Sequence, residues 1–537
     1  MIKQAAAGVL LAAALTTISV RSDAFCGFYV GGAGAKMFND ATVVVLMREG
    51  TRTVLSMQNT YKGPPEKFAM VVPVPVVLQE ENVKTLERAL FDHIDQLAAP
   101  RLVEYWEQDP CAPDTEMSIN LAAAKAAPAP QAVAEAAPGN YGVTIEAKFT
   151  VGEYQIVILS AKDSGGLEDW LHAEQYTIPE RAEPYFRPYV AAGSKFFVAK
   201  VDPQKVKMVD GLAELSPLRF HYDSDEFRLP VRLGLINSSG TQDLIVHILG
   251  RGTRYEVANY PNVTIPTNFD VSEEASSSFG SFYAALFDRT VAKNPKAVVT
   301  EYAWEPTSCD PCPGPALDMG DLTSLGGDVL PSSTIPSYQA VPLTTAPGFR
   351  PPPPPPKPTR PTFNAWAPGG QGQMVLTRLH VRYTKDSLGE DLVFKAAPAI
   401  IGGREVRDAN GELEHGATKT SSNNFQARYA IRHPWTGPIT CKEPKRGRWG
   451  GNTSPRAAQK LGLVKRTNTD LASFVKQDIP EIDFKRGSAA SDGSKKGCLG
   501  CATIPRDDAG GVLPLALAGA LAFVRSLRRR SLNRDRL

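Results

Sequence analysis

The sequence predicts an α+β fold of mostly antiparallel sheet with several packed helices, followed by a C-terminal transmembrane helix. Three observations carry this. Short β-branched and aromatic runs bounded by turn residues outnumber segments with helical spacing. Strand and helix segments do not alternate regularly, as a doubly wound parallel sheet would require. A terminal apolar run, Ala509 to Val524, ends in arginines. No fixed-period repeat accompanies them.

The elements follow in chain order. Ala41 to Met47 and Thr53 to Gln58 are β-branched and apolar, and Arg48-Glu49-Gly50-Thr51-Arg52 between them reads as a hairpin turn. Phe68 to Pro75 is extended, with prolines that restrict it to an edge or a strand end. Val83, Leu86, Leu90, Ile94 and Leu97 recur at three and four residues, giving one amphipathic helix that Pro100 stops. Strands follow at Val143 to Thr150, Tyr154 to Ala161 and Lys195 to Asp202, with helices at Leu167 to Glu174 and Glu180 to Ala191. Further strands are expected at Arg228 to Ile236, Asp243 to Leu249, Ala297 to Glu305 and Met374 to Tyr383, with a helix over Ser278 to Lys293. Asn410-Gly411 signals a hairpin between Arg404 to Arg407 and Glu412 to His415.

The two ends suggest an address. Lys3, the apolar stretch Ala5 to Val20 and the small residues Ser22 and Ala24 form a secretory leader over 1–24, with cleavage expected after Ala24. At the other end, Cys498-Leu499-Gly500-Cys501 precedes the apolar run, and Arg525, Arg528, Arg529 and Arg530 follow it. A helix over 509–524 would span about 24 Å, short of the ~30 Å hydrocarbon core, so its flanks must snorkel or the bilayer thin. The arginines of 525–537 mark the cytoplasmic side and place the bulk of the chain outside it.

Between leader and anchor lies enough chain for one large domain or two ordinary ones. Fifty-nine basic against 57 acidic residues leave a formal charge of +2, which gives no basic footprint for nucleic acid. The exported part is read as 25–330 and 373–450, with an Ala/Pro-rich insertion at 121–139, a Pro-rich insertion or linker at 331–372, and a tail with its sorting motif at 451–508. Pro351 to Pro356 form a stiff polyproline spacer.

Phe25-Cys26-Gly27-Phe28-Tyr29-Val30, Phe68-Ala69-Met70-Val71-Val72-Pro73-Val74-Pro75 and Tyr105-Trp106-Glu107-Gln108-Asp109-Pro110-Cys111 resemble the secreted bacterial family called domain of unknown function 2330. So do Gly166 to Leu171, Lys195 to Lys200, Cys309-Asp310-Pro311-Cys312, Leu376 to His380 and Leu388 to Leu392, a resemblance running from Phe25 to Trp449. The tail resembles the myxobacterial C-terminal sorting signal (MYXO-CTERM), which implies processing and attachment at Cys498 or Cys501 by a sorting protease. The family carries no established activity, so the resemblance informs localisation rather than chemistry.

Seven cysteines suit an oxidising compartment. Cys26 with Cys111 is the first bridge expected, each closing a short aromatic-rich segment. Cys309 and Cys312 have redox spacing, but Pro313-Gly314-Pro315 argues against the helix that would depress a thiol pKa, so a structural bridge is preferred over redox or metal roles. Cys441 is left without an assigned partner. Asp223-Ser224-Asp225-Glu226 begins like a calcium loop and lacks its later ligands. Searches for a nucleophile elbow, a zinc-protease helix and a phosphate loop find none.

No catalytic, cofactor or metal residues are therefore assigned. Histidines stand singly, and carboxylate pairs such as Glu168-Asp169 and Glu390-Asp391 serve acid–base chemistry only if folding brings distant partners together. Lys442, Lys445, Arg446, Arg448 and Trp449 form a small basic, aromatic segment. The reading is an exported, membrane-tethered, non-catalytic structural or binding module; the alternative is a secreted hydrolase of peptide or glycan. The partners expected are the membrane, a sorting protease and an envelope glycan or protein, with no cofactor.

Overall fold

Val43 to Met47 are apolar at every position rather than at alternate ones, because the strand they form is covered on both faces. The computed structural model describes residues 28–30, 38–39, 42–58, 60–62, 69–112, 142–174, 176, 178, 182–209, 212–236, 241–331, 373–384, 387–406, 413–450, 456–457 and 470–486. All belong to one unit, residues 1–487.

In chain order the main elements are β1 (Phe28–Val30), β2 (Thr42–Glu49), β3 (Arg52–Gln58), β4 (Ala69–Val74), β5 (Val83–Thr85), α1 (Arg88–Ala98), β6 (Arg101–Glu107), β7 (Val143–Val151) and β8 (Tyr154–Ala161). There follow α2 (Ser164–Ala173), α3 (Glu183–Ala191), β9 (Lys195–Val201), β10 (Leu218–Asp223), β11 (Gln242–Arg251), α4 (Phe279–Lys293), β12 (Val298–Trp304), α5 (Met319–Leu325), β13 (Met374–Tyr383), β14 (Leu392–Ala397), β15 (Asn424–Gln426), β16 (Arg428–His433) and β17 (Trp449–Gly450).

Two large sheets stack face to face with helices on both outer faces. One has the strand order β1-β4-β9-β8-β7. The other runs β15-β12-β13-β11-β2-β3-β10-β5, with Ile400–Gly402 and Thr418–Lys419 continuing it beyond β15. Val44, Leu46, Leu244, Val246 and Leu379 of the larger sheet meet Met70, Val72, Ile156, Ile158 and Phe197 of the smaller. The alternate residues of the smaller sheet, among them Val71, Leu159 and Phe196, take Leu167, Trp170 and Phe186 from α2 and α3. The alternate residues of the larger sheet, Val43, Val45, Met47, Ile245 and Leu376, lie with α1 and α5. A third sheet pairs β6 with β16 in parallel and with β17 in antiparallel register, and the core around α4 packs against it through Leu102, Phe282, Tyr429 and Ile431.

The α+β class with mostly antiparallel pairing is thus seen, the parallel pair β11–β2 being one exception. The β2–β3 hairpin closes through Gly50-Thr51, and Gly50 supplies the positive φ that a two-residue turn needs. Two expectations need correction. The helix expected from Val83 begins at Arg88, because Val83–Thr85 instead pair with β10 at the sheet edge. Of the strand expected over Arg228 to Ile236, only Arg228–Leu229 pair; Pro230 follows, and Asp391 draws the amides of Val231 and Arg232 into the entry of a 3₁₀ turn at Arg232–Leu235.

The Asn410-Gly411 turn lies outside the described residues, while its flanks are joined by the Glu414 amide donating to the Val406 carbonyl at 2.9 Å. Outside them too are the leader, the insertion 121–139, residues 332–372 and the expected transmembrane helix 509–524. Among the described residues no helix is long and apolar enough to cross a membrane.

Candidate functional site

Successive residues of a strand face opposite ways, so Arg378, His380 and Arg382 of β13 share one face. Across β11, Asp243 stands opposite Arg382 and His247 opposite Arg378. On the other side β12 carries a bulge: Thr300 pairs with Leu379 and Tyr302 with Arg378, which makes Glu301 the extra residue. That insertion lets Glu301 point to the same face as Tyr302. Its carboxylate accepts Arg378 Nε at 2.7 Å and His380 Nδ1 at 2.8 Å, and takes the Tyr283 hydroxyl from α4. From α1, Asp95 pairs with Arg378 Nη1. The network continues outward as His380 Nε2 to Asp243 at 3.2 Å, Arg382 Nε to Asp243 at 2.6 Å, and Arg382 to Asp288.

Charge states follow from the surroundings. Burial opposes ionisation of Glu301, but the His380 and Arg378 cations outweigh it and bring the carboxyl down to about 2. Burial likewise opposes the His380 cation, and Glu301 with Asp243 overrides it, raising the pKa. Burial and the neighbouring Arg378 cation push His247 down to about 3, so it is neutral. Asp95 and Glu301 thus face Arg378 and His380, and Glu301 with Asp243 favours the cationic form of His380.

Acids and histidines therefore do converge from distant parts of the chain, as a hydrolase would need. However, Asp95, His247, Glu301, Arg378 and His380 are each 0% exposed, and the Phe287 ring stacks on His380 with centroids 3.7 Å apart. A substrate has no contact with these atoms in the folded state. The arrangement is a buried ionic strut that ties α1, α4, β11, β12 and β13 together.

A second group of side chains does reach solvent, where the parallel strands β6 and β16 end. The Trp106 indole is 43% exposed and stacks on His433 at 4.8 Å. Glu104 holds His433 Nε2 at 3.2 Å and accepts the Ser276 hydroxyl at 2.8 Å. On the opposite face of β6, Glu107 takes the amides of Trp435 and Gly447, both at 2.9 Å, and Arg446 at 2.8 Å; the two amides above all keep its carboxyl below the usual range. Arg448 Nη2 donates to the carbonyls of Asp109 and Ala112. The loop 434–448 is thus clamped, and much of its basic segment is engaged in holding it.

Cys441 of this loop is bridged to Cys111. This corrects the expected Cys26–Cys111 pairing; Cys26 lies outside the described residues. The parallel β6–β16 pair brings together positions 330 residues apart, which spacing along the chain does not reveal. Replacing Cys111 and Cys441 together by serine should cost about 2–4 kcal/mol of unfolding free energy and make 434–448 the first site of limited proteolysis. Cleavage kept at the parent rate would show that the Glu107 clamp holds the loop unaided.

Cys309 and Cys312 are bridged to each other, and no helix starts there: α5 begins only at Met319. The carbonyls of this segment are taken by surrounding donors, that of Asp310 by Gln426, that of Pro311 by Arg101 and that of Pro313 by Gln96. The acidic turn at Asp223 is held by arginines, Arg52 gripping the Asp223 carboxylate and Arg48 the carbonyls of Ser224 and Asp225. Asp391 accepts the Tyr189 hydroxyl at 2.6 Å besides the Val231 amide, a structural use of the Glu390-Asp391 pair. Among the described residues no three His, Cys, Asp or Glu side chains gather as metal ligands. Cys498, Cys501, Arg528, Arg529 and Arg530 lie outside the described residues.

The network was missed because its ion pairs join residues 77 to 283 positions apart. The available signal was a strand with Arg, His and Arg at alternate positions between apolar residues, a pattern that ordinarily marks a solvated face.

A family model described as an uncharacterized protein conserved in bacteria (DUF2330) matches residues 20–395. The chain belongs to the DUF2330 family. Every member of the buried network falls within the DUF2330 match, whereas β16, the loop 434–448 and Cys441 follow it. The resemblance read to Trp449 is therefore matched as far as Lys395. Comparison with curated proteins and with solved structures gives no match.

Proposed function

We propose that this DUF2330 protein is an exported, membrane-tethered module that binds at its surface without catalysing a reaction. The observation that carries the reading is the division of its polar side chains. The converging acids and histidines are sealed in the core, and the aromatic and polar groups of fixed geometry that meet solvent lie around Trp106 and the clamped loop 434–448. Rigid elements presenting preorganised groups suit binding, since little ordering entropy is lost when a ligand docks. The leader at 1–24 supports export, and the apolar run 509–524 with Arg528, Arg529 and Arg530 supports tethering. Cys498 or Cys501 is the proposed point of processing and attachment by a sorting protease.

Topology tests the reading directly. External protease added to intact cells or spheroplasts should cleave the domain, and a reporter fused after Trp449 that works only outside the cytoplasm should be active. Activity of a cytoplasm-restricted reporter at the same position would overturn the proposal.

A further inference from the structure

We infer that the Cys309–Cys312 bridge is a thiol-exchange site, opened by an incoming thiol at the sulfur of Cys312. The inference goes beyond the surface-binding reading and is independent of it. The two sulfurs differ in access. Cys312 is exposed, whereas Cys309 is half-buried against the core that holds Tyr302 and Leu317. An attacking thiolate comes from solvent, so Cys312 is the sulfur it reaches.

The bridge does little to hold its own segment. Its cysteines are separated by 3 in sequence, and closing so short a loop takes little freedom from the unfolded chain. Side chains from three elements fasten the segment instead. Gln96 of α1 donates to the Pro313 carbonyl at 2.9 Å, Arg101 of β6 to that of Pro311 at 2.8 Å, and Gln426 of β15 to that of Asp310 at 2.8 Å. Opening the bridge breaks none of these bonds. The Cys111–Cys441 bridge is the opposite case, with both cysteines half-buried and 330 residues apart.

No helix starts at the bridge to acidify a thiol, so access and local charge carry the chemistry. Arg101 is 0% exposed and makes no ion pair among the described residues, and its guanidinium meets the carbonyl of the residue before Cys312. Asp310 is the acid whose field reaches it, from an exposed position. A thiolate formed in this segment adds negative charge near a buried cation that has no carboxylate partner.

The incoming thiolate attacks Cys312 Sγ, the bond between the two sulfurs breaks, and Cys309 leaves as a thiolate that takes a proton from solvent. A second thiol then displaces Cys312 from the mixed disulfide. Two thiols are oxidised to a disulfide, and two electrons and two protons pass to the bridge. The exchange is stoichiometric rather than a catalytic cycle.

The test uses full-length protein in detergent, incubated without oxygen with reduced glutathione, quenched with N-ethylmaleimide and mapped by peptide mass. Cys309 and Cys312 should be labelled about tenfold faster, or more, than Cys111 and Cys441. Single variants challenged with oxidised glutathione identify the attacked sulfur. Cys312 in Cys309→Ser should form the mixed disulfide about tenfold faster than Cys309 in Cys312→Ser. Replacing both cysteines by serine should leave the thermal unfolding midpoint unchanged. Labelling of Cys111 and Cys441 as fast as that of Cys309 and Cys312, capture at Cys309 as fast as at Cys312, or a lowered midpoint in the double variant overturns the inference.

Discussion

Arg378→Ala should lower the unfolding free energy by about 3–5 kcal/mol, because removing one partner of a buried ion pair strands the others without compensation. Asp95 and Glu301 are both fully buried, and Arg378 is the guanidinium that meets them. The pairing itself contributes little net stability, since withdrawing four charged groups from water is costly. The loss on breaking it comes from the carboxylates left behind. Arg378→Met, which keeps most of the packed volume, should therefore be nearly as damaging as alanine. Adding Glu301→Gln to Arg378→Met should recover part of the loss, giving a coupling of about 0.5–3 kcal/mol in the double-mutant cycle. Equilibrium urea unfolding measures all of these; a loss below about 1 kcal/mol for Arg378→Ala, the range of an exposed pair, would show that the charges reach water.

Acid should destabilise the fold from near pH 6.5 downward, earlier than carboxylates alone would dictate. His247 takes up its proton near 6.5 when unfolded and near 3 when folded. Between those values the unfolded chain binds more protons, so stability rises with pH and is lost as pH falls. Each pH unit below 6.5 costs about 1.4 kcal/mol, roughly 3 kcal/mol by pH 4. Glu301, brought from 4.5 to about 2, adds a loss of the same sign at lower pH. His380 acts oppositely: its raised folded pKa contributes stability below about 6.5 that disappears as pH rises through the folded value. Stability should therefore peak close to neutrality. Urea midpoints from pH 4 to 8 will show the peak, and His247→Asn should flatten its acid limb. An acid limb of unchanged slope in that variant would assign the proton uptake elsewhere.

The strands legible from the sequence were those whose β-branched runs are unbroken, such as β2, β8 and β13, where local composition and tertiary burial agree. Val83–Thr85 misled because Val83, Leu86 and Leu90 fit helical spacing, whereas pairing with β10 decides the outcome. β6 and β16 were not read as strands. Arg101, Glu104 and Glu107 in one and Arg428, Arg432 and His433 in the other break the apolar pattern, and their partners lie hundreds of residues away. The candidate surface was half visible: the basic segment around Arg446 stood out, whereas Trp106 figured only within a stretch resembling the family, and only the parallel β6–β16 pair shows that they border one another. Glu301 carried no signal, because a bulge is a property of two strands in register.

The β6–β16 pairing also orders events in time. If the chain is exported amino end first, β6 emerges more than three hundred residues before the strand that completes its sheet. Contacts of such separation form slowly. The core around α4 is closed later still, by Leu471, Phe474 and Ile482. A nascent chain threaded out to the end of its DUF2330 segment would therefore hold apolar surface open, exposed to proteases and to sticking, until nearly a hundred further residues had followed. Those later residues, beyond the matched family segment, act as the closing piece, and trimming the chain at residue 395 should yield an aggregating fragment rather than a minimal domain.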